Sequence, residues 1–196
     1  NLMKLASIAQ TQGFYYKPRI DRKVLIEHRE GLIALTACLH GEVPWLIGQG
    51  NMDKAREKAL DLQQLFGDRI YFELQENNID KQRIVNNGLL ELGRETGVMP
   101  QLEFWGASPV MWHIGQALMV AASADDPDVR FLPHIYHMFR GGSGFDSLKM
   151  LSGHMIEIFH MNDYIGSIPR EEQTDADRVY PGDGVGPVKQ VLRDLK

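Results

Sequence analysis

Apolar residues recur along this chain at two alternating spacings. Five short runs read as strands: Leu32 to Ala37, Ile70 to Leu74, Met99 to Trp105, Arg130 to Tyr136 and Met155 to Met161. Most are apolar-rich and flanked by Gly, Asp or Pro, and none shows the long one-sided alternation of an antiparallel sheet. Between them the spacing becomes helical. Asp53 to Phe66 sets Ala55, Ala59, Leu62 and Phe66 on one face, places Lys54, Arg56, Glu57, Lys58 and Asp61 largely elsewhere, and stops at Gly67. Asp80 to Thr96 carries Ile84, Leu89 and Leu92 in a polar background and closes on Gly97. Ser108 and Pro109 read as the cap and first residue of a helix burying Val110, Ile114, Ala117, Leu118 and Ala121. Phe145 to Leu151 and Val185 to Leu195 read as two shorter helices.

Strands alternating with helices predict an α/β fold with a parallel sheet, in a single domain over residues 1–196. Five strands are too few for a closed barrel, which needs eight and usually about 250 residues. The expectation is therefore a partial TIM-like (βα) barrel, its open edges covered by a second copy in a homo-oligomer. A doubly wound five-stranded sheet is the alternative, although no Gly-rich phosphate loop follows the first strand.

Composition narrows the picture only slightly. A net charge of −5 gives no basic footprint, so nucleic-acid binding is not expected. No apolar run reaches the roughly 20 residues of a membrane span, and no signal-type segment opens the sequence. With Cys38 its single cysteine, the chain has no internal disulfide framework, and a cytoplasmic location is expected.

The run GFYYKPRIDRKVLIEHREGLIALTACLHGEVPWLIGQGN, with KAREKALDLQQLFGDRIYFELQENNIDKQRIVNNGLLELGRE after it, resembles the PHP domain of bacterial DNA polymerase III alpha subunits. The likeness covers roughly residues 1 to 96 and implies a metal-binding barrel in which Cys38 corresponds to one ligand. The family's HxH motif has no match, and its ATNDxHY motif is absent after Gly97. A lone thiolate cannot hold a metal cluster, so Cys38 reads more simply as a small buried residue at a strand end. A PHP-type phosphoesterase loses ground for the same reason.

From about Val98 the sequence changes allegiance. MPQLEFWGASPV, FLPHIYHMFRGG, IEIFHMNDY and DRVYPGDG together resemble the C-terminal half of a xylose-isomerase-like sugar or sugar phosphate isomerase or epimerase barrel. That resemblance implies a divalent cation held by Glu103, by position 134 and by His160, with His137 and Arg178 contacting substrate. The family's aspartate is His134 here, and its last glutamate has no counterpart. All three candidate ligands fall near the C-terminal ends of predicted parallel strands, where such sheets gather their chemistry. Two imidazoles and one carboxylate favour Zn²⁺, Ni²⁺ or Fe²⁺ over Mg²⁺, with Mn²⁺ also possible. Proton transfer in the family uses two carboxylates on opposite sides of the substrate. Here Glu103 stands for one, with His137 beside it, and the other is missing. Asp163, Asp175, Asp177 and Asp183 read as loop caps and turn acceptors, and Gly141, Gly142, Gly144, Gly182 and Gly184 as turn residues.

Residues 1–97 and 98–196 thus point to different parents, joined where a helix gives way to a strand. The whole reads as an engineered or recombined chimera of two barrel fragments without native catalytic activity, retaining a possible divalent-metal site. The alternative is a metal-dependent sugar or sugar phosphate isomerase or epimerase.

Overall fold

The computed structural model describes residues 1–196. In chain order the helices are α1 (Leu2–Thr11), α2 (Arg22–His28), α3 (Glu42–Gly48), α4 (Met52–Phe66), α5 (Asp80–Thr96), α6 (Ile114–Ala124), α7 (Ile135–Arg140) and α8 (Val188–Asp194). The strands β1 (Ala34–Leu35), β2 (Ile70–Leu74), β3 (Pro100–Glu103) and β4 (Phe131–Leu132) pair in that order, all parallel. A doubly wound sheet reverses its strand order partway. This one does not, and the fold is the expected α/β partial barrel.

The fifth expected strand is present as two contact points. Ile156 bridges to Phe131 and His160 to His134, both in parallel sense. The His160 N–H donates to the Pro133 carbonyl at 2.9 Å, and the Ile135 N–H donates to the His160 carbonyl at 3.3 Å. Between the bridges this segment advances four residues while its neighbour advances three, so one residue bulges and no continuous ladder forms. A separate antiparallel pair, β5 (Asp163–Tyr164) and β6 (Arg178–Val179), lies beyond it.

Several boundaries differ from expectation. The run from Arg130 to Tyr136 is strand only at β4, because His134 turns the chain into α7 and caps it through its ring nitrogen at Tyr136 N. Ser108 does not cap α6. Its hydroxyl donates to the Glu76 carbonyl and accepts from Val110 and Met111, which ties a loop to the exit of β2. The helix starts at His113 instead, where the ring accepts from Gly115 N and Gln116 Oε1 accepts from His113 N. Val110 is consequently exposed. Residues Phe145–Met150 form a 3₁₀ helix, and Val185 lies outside α8 in solvent. In α5 the buried row is Val85, Leu89 and Leu92, while Ile84 is 60% exposed.

The apolar interior divides in two. One cluster runs from Val43 to Val98 and includes Ala55, Ala59, Phe66, Ile70, Phe72, Leu89 and Leu92. The other runs from Phe104 to Val191 and includes Ile114, Ala117, Phe131, Ile135, Tyr136 and Met138. No buried residue belongs to both, and the division falls at the turn after α5, where Gly97 takes a left-handed φ of 75°. Close approach inside the first cluster depends on Gly88, where a Cβ would stand 2.5 Å from Ile47 Cγ2. The halves join through β2 and β3, with Phe72, Glu73 and Leu74 beside Pro100, Gln101 and Leu102.

Candidate functional site

Parallel strands in register put alternate residues on a common face. Glu73 and Gln101 are partners across β2 and β3, Glu103 and Leu132 are partners across β3 and β4, and none of the four belongs to either helix-side cluster. This is the face turned away from the helices. At its C-terminal end it opens into a cleft lined by Glu73, Gln75, Glu103, His134, His137, His160 and Arg178, with Cys38, Trp105 and Asp175 at its margin. Every sequence-predicted site residue reaches this one cleft. Cys38 does so as an exposed loop residue rather than the small buried one expected, because the chain leaves β1 through Ala37 at a positive φ of 59°.

Glu103 is 8% exposed. Burial, together with Glu73 beside it, pushes its carboxyl up to about 8, against smaller opposing effects from Gln75 and Arg178. His160 Nδ1 lies 3.8 Å from Glu103 Oε1. Burial also lowers the pKa of His160, so the contact joins a largely protonated acid to a neutral imidazole and is not an ion pair near pH 7.

His134 is held more tightly. Burial, then His137, His160 and Arg178, lower it to about 2, so the ring is neutral at any working pH. A neutral imidazole has one lone pair. Two donors compete for it, since Tyr136 N is 3.2 Å from Nδ1 and Arg178 Nη1 is 3.4 Å from Nε2. His137, with its ring centroid 4.2 Å from that of His134, is lowered to about 4, chiefly by burial, and its Nδ1 has no hydrogen-bond partner.

Arg178 is positioned by the loop around it. Its Nε donates to the Asp175 carbonyl, and its guanidinium lies 5.6 Å from the centre of the Tyr136 ring. The loop is held by Asp163, which is fully buried and accepts from the N–H groups of Tyr164, Gly182, Gly184 and Gly186 at 2.7–3.2 Å. A Cβ at Gly184 or Gly186 would stand 2.5 Å from Asp163 Oδ1. Asp163 is the turn acceptor the sequence suggests and, fully buried, also the centre on which β6 and Arg178 are hung.

Sequence reasoning missed Glu73 and Gln75. The available signal was that Glu73 falls near the end of a strand-type run as Glu103 does, one βα unit earlier. Gln75 Nε2 donates to both Glu73 Oε1 and Glu103 Oε2.

The donor chemistry suits a divalent cation better than the geometry does. A carboxylate and an imidazole at 3.8 Å are suitable partners, yet no three His, Cys, Asp or Glu side chains converge as they stand. The His134 lone pair is already contested.

Comparison with known proteins gives sequence relatives for half of the chain and fold relatives for most of it. Residues 1–77 match the PHP domain family. DNA polymerase III subunit alpha from Aquifex aeolicus is 46% identical over 98 residues, and that from Thermus aquaticus is 45% identical over 98 residues. In each case the match covers 50% of this chain and 8% of the relative, so the chain spans under a tenth of these relatives' length. Similar solved structures are of another kind. An IOLI protein described with a binding zinc atom superposes with a TM-score of 0.63 at 23% identity, covering 88% of this chain and 66% of that one. A xylose isomerase domain protein from Alicyclobacillus acidocaldarius gives 0.61 at 22% identity, covering 88% and 68%. The fold is that of part of a TIM-like barrel.

Proposed function

We propose that this chain is a recombined chimera of a PHP-like and a xylose-isomerase-like barrel fragment, whose cleft binds a divalent cation through Glu103 and His160 without completing sugar isomerisation. The observation that carries the reading is the meeting of these two side chains, 3.8 Å apart, from β3 and from the bridged segment on the other side of β4. Imidazole with carboxylate favours Zn²⁺, Ni²⁺, Mn²⁺ or Fe²⁺. Such an ion, when bound, supplies Lewis-acid polarisation of a ligand oxygen. Arg178 offers a fixed cation for a phosphate or hydroxyl group, and His137 a hydrogen-bonding ring nitrogen. The isomerase's second carboxylate has no equivalent across the cleft, since Glu73 stands beside Glu103 on the next strand.

A metal-dependent sugar isomerase or epimerase is the second reading, favoured by the care with which Asp163 holds Arg178 over the cleft. Calorimetric titration of Zn²⁺ into the parent and His160→Ala tests binding, with at least tenfold weaker affinity expected in the variant. Equal affinity in both would remove the site. Incubation with a mixture of ketoses and Mn²⁺ tests turnover, and none is expected. Turnover abolished by Glu103→Gln would establish the second reading in place of the first.

A further inference from the structure

Two apolar surfaces outside the cleft are left uncovered, and their charges are opposite. The first is the turn that precedes α2. Residues 13–20 double back, with the Tyr15 N–H donating to the Lys17 carbonyl at 3.1 Å and the Arg19 N–H to the Gly13 carbonyl at 3.2 Å. A Cβ at Gly13 would stand 1.9 Å from the Arg19 carbonyl oxygen, so only glycine lets the turn close. At its tip Phe14, Tyr15 and Tyr16 are 60%, 65% and 82% exposed, and Tyr16 takes a left-handed φ of 58°. Bulky residues rarely adopt that conformation. Three aromatic rings are thus held in solvent in a fixed arrangement. Lys17 and Arg19 are the only charged residues of the turn, and Arg19 lies over the Tyr15 ring at 5.4 Å.

The second surface is the outer side of α6. From Ile114 to Ala124 this helix has no charged residue, and Gln116 and Ser123 are its only polar ones. A helix that is apolar all round is normally buried all round. Here Ile114, Ala117 and Ala121 are buried, whereas Met119 and Val120 face solvent. Between α6 and α5 lies a hollow of about 360 Å³, walled by Leu74, Leu90, Leu102, Val120 and Ala124. Just past the helix come Asp125, Asp126 and Asp128, all exposed, at the end where the helix dipole is already negative. Of the two arginines on the same rim, Arg130 is engaged by Asp128 and Glu157 at 3.8 and 3.5 Å. That leaves Arg94 against Asp125 and Asp126, and the excess charge is negative.

We propose that the aromatic turn of one copy docks in the α5–α6 hollow of a second copy of this chain. Phe14, Tyr15 and Tyr16 supply the apolar cover that Met119 and Val120 lack, in the manner of aromatic anchors at protein interfaces. Lys17 and Arg19 meet Asp125 and Asp126 at the rim. Charge selects this pairing, since turn against turn and rim against rim repel, whereas turn against rim attracts. The turn does not line the hollow of its own chain, so the contact joins separate molecules. Because the two surfaces differ, the contact is heterologous, and copies add head to tail. The second copy expected for an open sheet is placed here on the helix layer, away from the cleft. The proposal is independent of cation binding there.

The experiment is sedimentation equilibrium of the full chain over a concentration series, at low and at high salt. The mean mass is expected to rise above that of the monomer with concentration, and to rise less in high salt, where the charge pairing is screened. Two variants locate the contact. Lys17→Glu with Arg19→Glu spoils the turn and leaves the hollow intact; Val120→Lys spoils the hollow and leaves the turn intact. Each by itself should associate at least tenfold more weakly than the parent. Mixed in equal amounts they should form a dimer and nothing larger, because one competent turn and one competent hollow remain between them. Circular dichroism checks folding, and Asp126→Lys on the exposed rim replaces Val120→Lys should that variant not fold. A parent that stays monomeric at every concentration overturns the proposal. So does a parent that associates while the mixed variants do not, or a pair of variants that each associate as the parent does.

Discussion

The first half of the molecule is built from long helices and the second from short segments held by side chains. Residues up to Val98 put fifteen- and seventeen-residue helices, α4 and α5, against the sheet, and Ala55, Phe66, Leu89 and Leu92 pack from them into one buried cluster. Beyond Phe104 the longest helix has eleven residues, and three 3₁₀ turns and a two-stranded ribbon take up much of the rest. Order there depends on polar anchors, Asp163 above all. The contrast teaches that one sheet can be stabilised in two ways, by regular packing and by buried hydrogen bonding, and that the candidate chemistry gathers on the second.

The contrast can be broken most severely in the cores. Phe131→Ala and Leu92→Ala each remove a fully buried side chain from a different cluster and should cost about 2–5 kcal/mol. Hydrogen exchange followed by mass spectrometry should show faster exchange chiefly in the half that carries each substitution. Uniform acceleration along the chain would mean that the two cores act as one.

A smaller effect is expected at Asp163. Asp163→Ala leaves three loop N–H groups without their acceptor and should lower stability by about 2–3 kcal/mol in urea unfolding. Protease cleavage should then begin between residues 178 and 186. Cleavage elsewhere first would deny Asp163 its anchoring role.

The mildest test is pH, in chelator-treated buffer. His134 and His137 are depressed below 6.5, so the unfolded chain binds more protons than the native one as pH falls beneath that value, and stability drops. Glu103 is raised from 4.5 to about 8, so the native chain binds more protons between those values, and stability drops as pH rises. Below 6.5 the two imidazoles outweigh the one carboxyl; above it only the carboxyl acts. The cluster's contribution therefore peaks near pH 6.5. Glu103→Gln should flatten the alkaline limb and steepen the acid one, as measured by thermal melts from pH 5 to 9. An unchanged limb would place the ionisation elsewhere.

What the sequence made legible followed from repetition. The helices α4 and α5 carry several turns of apolar period and end at Gly67 and Gly97, so pattern and stop signal agree. Helices α3 and α7, of seven and six residues, are too short for a period to emerge. Ile84 and Val85 are adjacent and both apolar, and only packing decides that Val85 faces inward. In the site, Glu103, His134, His137, His160 and Arg178 were placed together by motif. Glu73 was not, because its place in the site arises from the register of β2 against β3. Motifs describe single segments, whereas register describes how they pair.

The order of the strands also bears on how the chain is made. Each strand of the sheet pairs with the one synthesised just before it, about one βα unit upstream, and no contact in the sheet waits for a distant partner. Ribosomes add roughly 5–20 residues per second, slowly enough for finished units to fold as they emerge. By the time Pro100 leaves the exit tunnel, β2 and its helices are already a surface with an open edge. Nascent β3 needs only to lie against that edge.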